Sequence, residues 1–304
     1  MFPGKRLAIW LLAAALAAPA GAEVLTIVTP LGARVELEAT ALAPGGIIVA
    51  RLAGTPGVKQ ASLDFGKSAV RLGPPGSGLE PFGLVGLDLD LAPGPQAVSL
   101  TVRYGDGRVE TARASITVGS RDFPQKKLTV AAKYVTPPKE VEERIRRESE
   151  LLNLVYSIDT PRWLGDGPFA LPHDGAMAPN FGERRVYNNV PRSSHAGVDI
   201  AAPAGSPVRS ANSGRVVLSR DLYFSGKTVI IDHGLGLLTV YCHFSELRAK
   251  RGQNVRKGDV VGLAGSTGRS TGPHLHWSAR LRQSRVDPAA LVGRLELASA
   301  AQAR

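Results

Sequence analysis

The 304-residue chain is poor in cysteine and aromatic residues, and it has no long apolar run beyond its N-terminus. Because Cys242 is the only cysteine, an intramolecular disulfide is excluded and the fold must be held by an apolar core. The lack of a later apolar run of ~20 residues predicts a mature chain without a membrane span. A helical His-Glu-x-x-His motif is also missing, which excludes the glutamate base of the zinc proteases that carry it.

Negative charge is scarce, and the formal net charge is +11. A basic exported protein is suited to anionic surfaces such as cell-wall polymers. Nucleic acid is the other usual partner of basic chains, but here the lysines and arginines are scattered and aromatics are few. We therefore expect no nucleic-acid partner.

The N-terminus has the pattern of an export signal. Lys5 and Arg6 precede an apolar stretch over 7–18, and Ala20-Gly21-Ala22 matches a signal-peptidase site. The pattern predicts a signal peptide over 1–22 and a mature protein in the periplasm or cell envelope, or secreted. A retained N-terminal anchor is the alternative.

Residues 23–120 are predicted to form an immunoglobulin-like β-sandwich. Alternating apolar and polar residues predict strands at 35–39 and 97–104, and Gly105-Asp106-Gly107 predicts a hairpin to a strand at 108–112. Further short strands are expected at 47–52, 61–65, 69–72 and 84–91. Since no cluster of His, Asp and Glu occurs there, the domain is either a binding or positioning module or an inert spacer.

Residues 121–166 are predicted to be a connector with one helix. Thr136 is a candidate N-cap followed by Pro137, and apolar residues then recur at helical spacing. Two i,i+4 ion pairs are expected on the exposed face, Glu142 with Arg146 and Glu143 with Arg147.

The third region, 167–296, is rich in glycine and short apolar segments, and a tail follows at 297–304. Strands are expected at 208–218, 228–232 and 238–243, so the whole chain is predicted to be mainly all-β. Five of the six histidines lie well inside this region, and they are His195, His233, His243, His274 and His276.

Three segments of this region bear side chains that can bind a metal. His274 and His276 are two residues apart, so in a strand they share a face. His195 and Asp199 are four apart and can bind one ion only if the chain bends, most easily at Gly197. Tyr241 and His243 are expected on one face of another strand, with Cys242 on the opposite face.

A His/Asp/His set leaves an open fourth position, which is the pattern of a catalytic zinc site. Zinc polarises a carbonyl and activates water, which suits amide hydrolysis, and the remaining histidines must then transfer the protons. The spacing does not reveal which histidine of the 274/276 pair binds the metal.

These segments resemble the M23 family of zinc endopeptidases, of the lysostaphin/LytM type. The resemblance covers about 169–288 and is carried by His195-Ala-Gly-Val-Asp199, Gly226–Gly234, Tyr241-Cys-His243 and Gly265–His276. More loosely, the preceding regions resemble the β-domain of some exported bacterial members. The resemblance implies an antiparallel β-domain with a narrow groove and hydrolysis of peptidoglycan cross-links through a zinc-bound water.

The resemblance also implies a role for each matching residue. His195, Asp199 and His276 match the zinc ligands, and His243 and His274 match the catalytic histidines. The resemblance of the N-terminal β-domain favours cross-links from D-Ala to a diamino acid over glycine bridges, which is the activity of a DD-endopeptidase. We expect the protein to be a monomer.

The remaining candidates have competing interpretations. Tyr187 either helps to bind the oxyanion or packs at the groove edge. His233 and His173 are expected in turns rather than at the metal, and Cys242 in the core rather than on zinc.

Two other functions fit parts of the pattern. A non-catalytic LytM-like module that binds cell wall or activates another hydrolase is the main alternative, although such relatives typically lack some of the zinc ligands. A biotinyl- or lipoyl-type carrier would need a modifiable lysine at a hairpin tip, and Lys257 is not in such a setting.

Overall fold

The computed structural model describes residues 15–16, 23–53, 57–66, 68–72 and 81–293. The chain divides into two units, one of residues 1–120 with 300–304 and one of residues 121–299. Apart from Ala15–Leu16, the predicted signal peptide lies outside the described residues, as does the tail at 297–304.

The first unit consists of two antiparallel sheets around one core. One sheet has the order β1 (Ala15–Leu16), β2 (Glu23–Val28), β3 (Arg34–Ala39), β4 (Ile47–Ala53) and β7 (Phe82–Gly86). The other has the order β6 (Ser68–Leu72), β5 (Val58–Phe65), β8 (Gly94–Tyr104) and β9 (Val109–Val118).

The alternation of apolar residues places one face of each sheet in that core. Val35 and Leu37 of β3 are buried together with Val98, Leu100 and Val102 of β8, as a period of two requires. The predicted strands and the hairpin between β8 and β9 are confirmed, although β7 ends before the predicted 84–91 segment does. The immunoglobulin-like assignment stays a prediction.

Helix α1 (Glu142–Tyr156) belongs to the second unit and begins later than its sequence pattern predicts. Thr136 is not its N-cap. Pro137 precedes a second proline, a position that disfavours helical backbone, and Pro138 is itself extended. A short 3-10 helix, Lys139–Val141, leads into α1 instead.

The ion pairs on α1 are partly those predicted. Arg147 pairs with Glu143 at 2.6 Å, but Arg146 pairs with Glu143 and Glu150. The buried stripe of α1 packs with Val155 against Leu222, Val240 and Cys242 of the sheet below. Among the described residues, no helix has the length and apolar character needed to cross a membrane.

A seven-stranded antiparallel sheet is the centre of the second unit. Its order is β13 (Gly197–Ile200), β21 (Leu275–Leu281), β17 (Leu237–Phe244), β16 (Gly226–Asp232), β15 (Gly214–Leu222) and β19 (Asn254–Val255), and β22 (Ser284–Val286) pairs with β21. The single strand predicted over 208–218 is in fact two, since a bend at 210–213 separates β14 (Pro207–Arg209) from β15.

The second unit also contains two three-stranded sheets. The first contains β10 (Gln125–Leu128), β11 (Arg184–Tyr187) and β12 (Val190–Ser194), with β10 parallel to β11. The second contains β14 (Pro207–Arg209), β20 (Val260–Leu263) and β18 (Glu246–Leu247). Short 3-10 helices lie at Ala132–Tyr134 and Pro288–Leu291. The chain is therefore mostly β, as predicted.

Candidate metal centre and catalytic histidines

The candidate centre is built on a row of residues across three strands. In the registers of the central sheet, Asp199 lies opposite His276, and His276 lies opposite Cys242. Directly paired residues share a face of an antiparallel sheet. The sheet therefore places Asp199 and His276 side by side, although 77 residues separate them in the chain.

His195 completes a cluster of three side chains that could hold a metal ion. Its Nε2 atom lies 3.1 Å from Asp199 Oδ1 and 2.8 Å from His276 Nδ1, and the latter is 3.1 Å from the same Asp199 oxygen. The required bend falls at His195 and Ala196, between β12 and β13, rather than at Gly197.

Gly197 serves close packing instead of the bend. An added Cβ there would lie 2.5 Å from the Trp277 carbonyl oxygen and 2.8 Å from His276 Cε1. The absent side chain lets β13 approach β21 closely beside the cluster.

Asn180, which the sequence analysis missed, orients two members of the cluster. The Nδ1–H of His195 donates to the Asn180 carbonyl at 2.9 Å, which leaves the lone pair of Nε2 facing the cluster. The Asn180 amide donates to Asp199 Oδ2 at 2.9 Å and accepts from the Asp199 N–H at 3.1 Å. An Asn in a loop has no sequence signal that would distinguish this role.

Arg185, also missed, balances the charge of Asp199. Its Nη2 donates to Asp199 Oδ2 at 2.7 Å. Burial alone would raise the pKa of Asp199, but the His195 and His276 imidazoles beside the carboxylate outweigh it and hold that pKa well below its usual range. The carboxylate is thus ionised, with Oδ2 engaged by Asn180 and Arg185 and Oδ1 turned toward the two imidazoles.

His243 and His274 lie beside the cluster with their Nδ1 atoms bound to the backbone. The Nδ1–H of His243 donates to the Thr267 carbonyl at 2.7 Å, and that of His274 donates to the Gly272 carbonyl at 2.8 Å. Their ring centroids are 4.9 Å apart. In both rings the lone pair that can accept a proton is therefore on Nε2. The Nε2 atom of His274 lies 3.6 Å from Asp199 Oδ1.

A β-bulge directs His243 to this side of the sheet. The register between β16 and β17 shifts between Lys227 and Val229, and His243 has a left-handed backbone with φ of 67°. The expectation that Tyr241 and His243 share a face is wrong, because the bulge interrupts the alternation. Tyr241 points to the opposite core, where its hydroxyl accepts from the Ala211 N–H.

Burial lowers the basicity of these histidines. The pKa of His243 is lowered to about 3, mainly by burial and in addition by the nearby His276 and His274. Burial also lowers the pKa of His276 to about 4, against a raising hydrogen bond to Asp199. Neutral imidazole is the form that binds metals and accepts protons.

Cys242 is buried, as predicted, but on the same face as His276 rather than away from the site. Burial raises the pKa of its thiol to about 12. A neutral thiol packed against Val240 and Leu222 is part of the core, and the cluster of metal-binding atoms does not include it.

The two other histidines lie apart from the cluster. His233 is fully buried, with Nδ1 2.8 Å from the Ser213 carbonyl and Nε2 2.7 Å from the Thr239 hydroxyl. His173 accepts from the Gly175 N–H in its loop and contacts the Ser206 hydroxyl at 3.0 Å.

A cavity of about 270 Å³ opens beside the histidines. His195, His243 and His276 line it, together with helix α1 and with Arg185 and Tyr187 of β11. Tyr187 is buried, with its hydroxyl 3.5 Å from Arg185 Nη1. The chain thus has a groove next to the cluster.

The donor set fits a zinc ion. Two imidazole nitrogens and one carboxylate oxygen within 3.1 Å of one another match the ligands of catalytic zinc sites. With two further imidazoles beside them, fold and site define a metallopeptidase.

Comparisons with known proteins specify the family. The model of peptidase family M23 matches residues 193–288. A crystal structure of a Pseudomonas aeruginosa protein described as a peptidase M23 is 33% identical, with a TM-score of 0.64, and the match covers 83% of this chain and 96% of that one. The chain belongs to peptidase family M23.

Two curated relatives are similar over the same domain. The peptidoglycan DD-endopeptidase ShyA of Vibrio cholerae is 41% identical over 107 residues, 35% of this chain and 25% of that protein. The DD-carboxypeptidase/endopeptidase Mpg of Neisseria meningitidis is 46% identical over 94 residues, 31% of this chain and 22% of that protein. The chain therefore matches about a quarter of the length of these relatives.

Proposed function

We propose that the protein is an exported zinc endopeptidase that hydrolyses peptide cross-links of peptidoglycan, as a DD-endopeptidase. The observation that carries the proposal is the convergence of His195 Nε2, Asp199 Oδ1 and His276 Nδ1 next to two histidines whose Nε2 atoms are basic. The similarity of the domain to ShyA and Mpg supports the substrate class.

His195, Asp199 and His276 would hold the zinc ion. When bound, the ion supplies a Lewis acid that activates water and polarises the scissile carbonyl. Arg185 and Asn180 orient the Asp199 carboxylate through hydrogen bonds to its Oδ2 atom.

His243 and His274 move the protons. Each accepts a proton at Nε2, and each resulting imidazolium is stabilised by the backbone carbonyl at its Nδ1–H. The same nitrogen then returns the proton to the leaving amine, as general acid–base catalysis requires. The Tyr187 hydroxyl, in the same cavity, is a candidate donor to the developing oxyanion.

The test is digestion of purified sacculi by the protein, with muropeptides identified by mass spectrometry. We expect cross-linked dimers to be replaced by monomers, the reaction to stop with a chelator, and zinc to restore it. Unchanged dimers with stoichiometric zinc bound would contradict the substrate proposal. Unchanged dimers without any bound zinc would favour a non-catalytic cell-wall module.

A further inference from the structure

The wall of the groove contains an arginine, Arg269, that has no acidic partner in the described part of the chain. Its guanidinium lies 4.6 Å from the ring centroid of Tyr187 and 5.0 Å from that of Phe224. Both contacts are cation–π interactions, which hold the cation in place without neutralising it. Arg269 is half-buried and lines the same cavity as His243 and His276.

The neighbours of Arg269 add positive charge. Burial is the main cause that lowers its pKa, and Arg185 and Arg192 lower it further, while Tyr187 opposes them. Arg185 is balanced by Asp199 at 2.7 Å and by Glu183 at 3.4 Å. Arg192 is exposed and donates to the Val135 carbonyl. Arg269 is thus the cation of this group that faces the groove without an anion.

A carboxylate is the ligand that this arrangement favours. A guanidinium forms paired, charge-assisted hydrogen bonds with a carboxylate, and a partly desolvated cation among like charges benefits most from such a partner. Because Arg269 and the histidines line one cavity, the carboxylate would belong to a substrate bound next to the reacting amide.

We propose that Arg269 binds the carboxylate on the residue that supplies the leaving amine. This inference rests on the proposed endopeptidase function and deepens it. Where the diamino acid of a direct cross-link has a second carboxyl group, the carbon that bears the cross-linked amine also carries a carboxylate, next to the scissile amide. An amide within a glycine bridge has no such neighbour. Arg269 would therefore select direct cross-links with a free carboxylate.

The test compares two cross-linked dimers that differ only in that group, one with the free carboxylate and one with a carboxamide. The zinc-loaded full chain should show a kcat/KM about 10- to 100-fold higher for the free carboxylate, the range of a charge-assisted hydrogen bond. Arg269→Gln should lose this preference by losing activity on the carboxylate substrate alone. Arg251→Gln, which removes an equal charge at an exposed position, is the matched control and should keep the preference.

The outcomes separate this inference from the proposed function. Equal hydrolysis of the two dimers by the unaltered protein would overturn the carboxylate site and leave the endopeptidase standing. A folded Arg269→Gln variant that keeps the preference would also overturn the carboxylate site and leave the endopeptidase standing. If that variant does not fold, Arg269→Lys decides, because it keeps the charge but loses the paired hydrogen bonds and should lower the preference. If neither dimer is cleaved, the proposed function fails, and equal binding of the two dimers by calorimetry would overturn the carboxylate site as well.

Discussion

The backbone of His243 is the most informative feature at the scale of single residues. A left-handed φ in a residue other than glycine costs about 1–2 kcal/mol, yet His243 adopts it inside a strand. The conformation turns its ring toward His274 and His276 rather than toward the core around Tyr241. Such an outlier next to a candidate centre suggests that the strain is retained for function.

Substitutions should separate the metal ligands from the proton-transferring histidines. We expect His276→Ala and Asp199→Ala to lose zinc and turnover together, because each removes one of three donors. His243→Ala should keep stoichiometric zinc and lose turnover, by at least about 100-fold, the lower range for general acid–base catalysis. Metal analysis and dimer hydrolysis measure the two properties.

His173→Ala is the matched control, because this histidine lies outside the cluster and should be dispensable for both properties. Loss of zinc from His243→Ala, or full turnover by it, would refute the assignment of roles.

At the scale of elements, three adjacent strands create the centre. The registers of β13, β21 and β17 place Asp199, His276 and Cys242 in one row. Loops bring His195 and His274 around this row, and the bulge in β17 adds His243. Alternation along one strand predicts which residues share a face, but register between strands depends on the packing of the whole sheet. The sequence pattern therefore indicated the candidate residues, while their mutual distances came from the sheet.

The close approach of β13 to β21 yields a prediction for Gly197. Gly197→Ala should destabilise the second unit by about 1–3 kcal/mol, the usual cost of overpacking, because its Cβ would lie 2.5 Å from the Trp277 carbonyl oxygen. Thermal unfolding measures the effect. The control is Gly272→Ala, where an added Cβ meets no atom within 4 Å, so a similar loss there would argue against the packing explanation.

At the scale of the whole molecule, buried ionisable groups link stability to pH. Burial is the first cause that lowers the pKa of His233, to about 4 from an ordinary 6.5, and its hydrogen bond to Ser213 opposes this only in part. Between these two values the unfolded chain binds more protons than the folded one. The contribution of His233 to stability is therefore full above pH 6.5 and is lost as the pH falls toward 4.

The expected loss at His233 is about 3 kcal/mol, from 1.36 kcal/mol per pKa unit. The free energy of unfolding, measured with denaturant between pH 7 and pH 4, should fall less steeply with decreasing pH for His233→Gln than for the unaltered protein. It should still fall in both proteins, because other histidines titrate in both. An identical slope in the two proteins would mean that His233 is protonated in the fold.

The amino-acid sequence by itself determined the mainly β class and the residues capable of metal binding and proton transfer. Both follow from local chemistry: alternation marks strands, and histidine and aspartate are ligands wherever they meet. Only the tertiary structure decided that Asn180 and Arg185 orient Asp199, that a bulge turns His243 into the site, and that Arg269 faces the groove. These features depend on contacts between segments far apart in the chain, and no local pattern encodes such contacts.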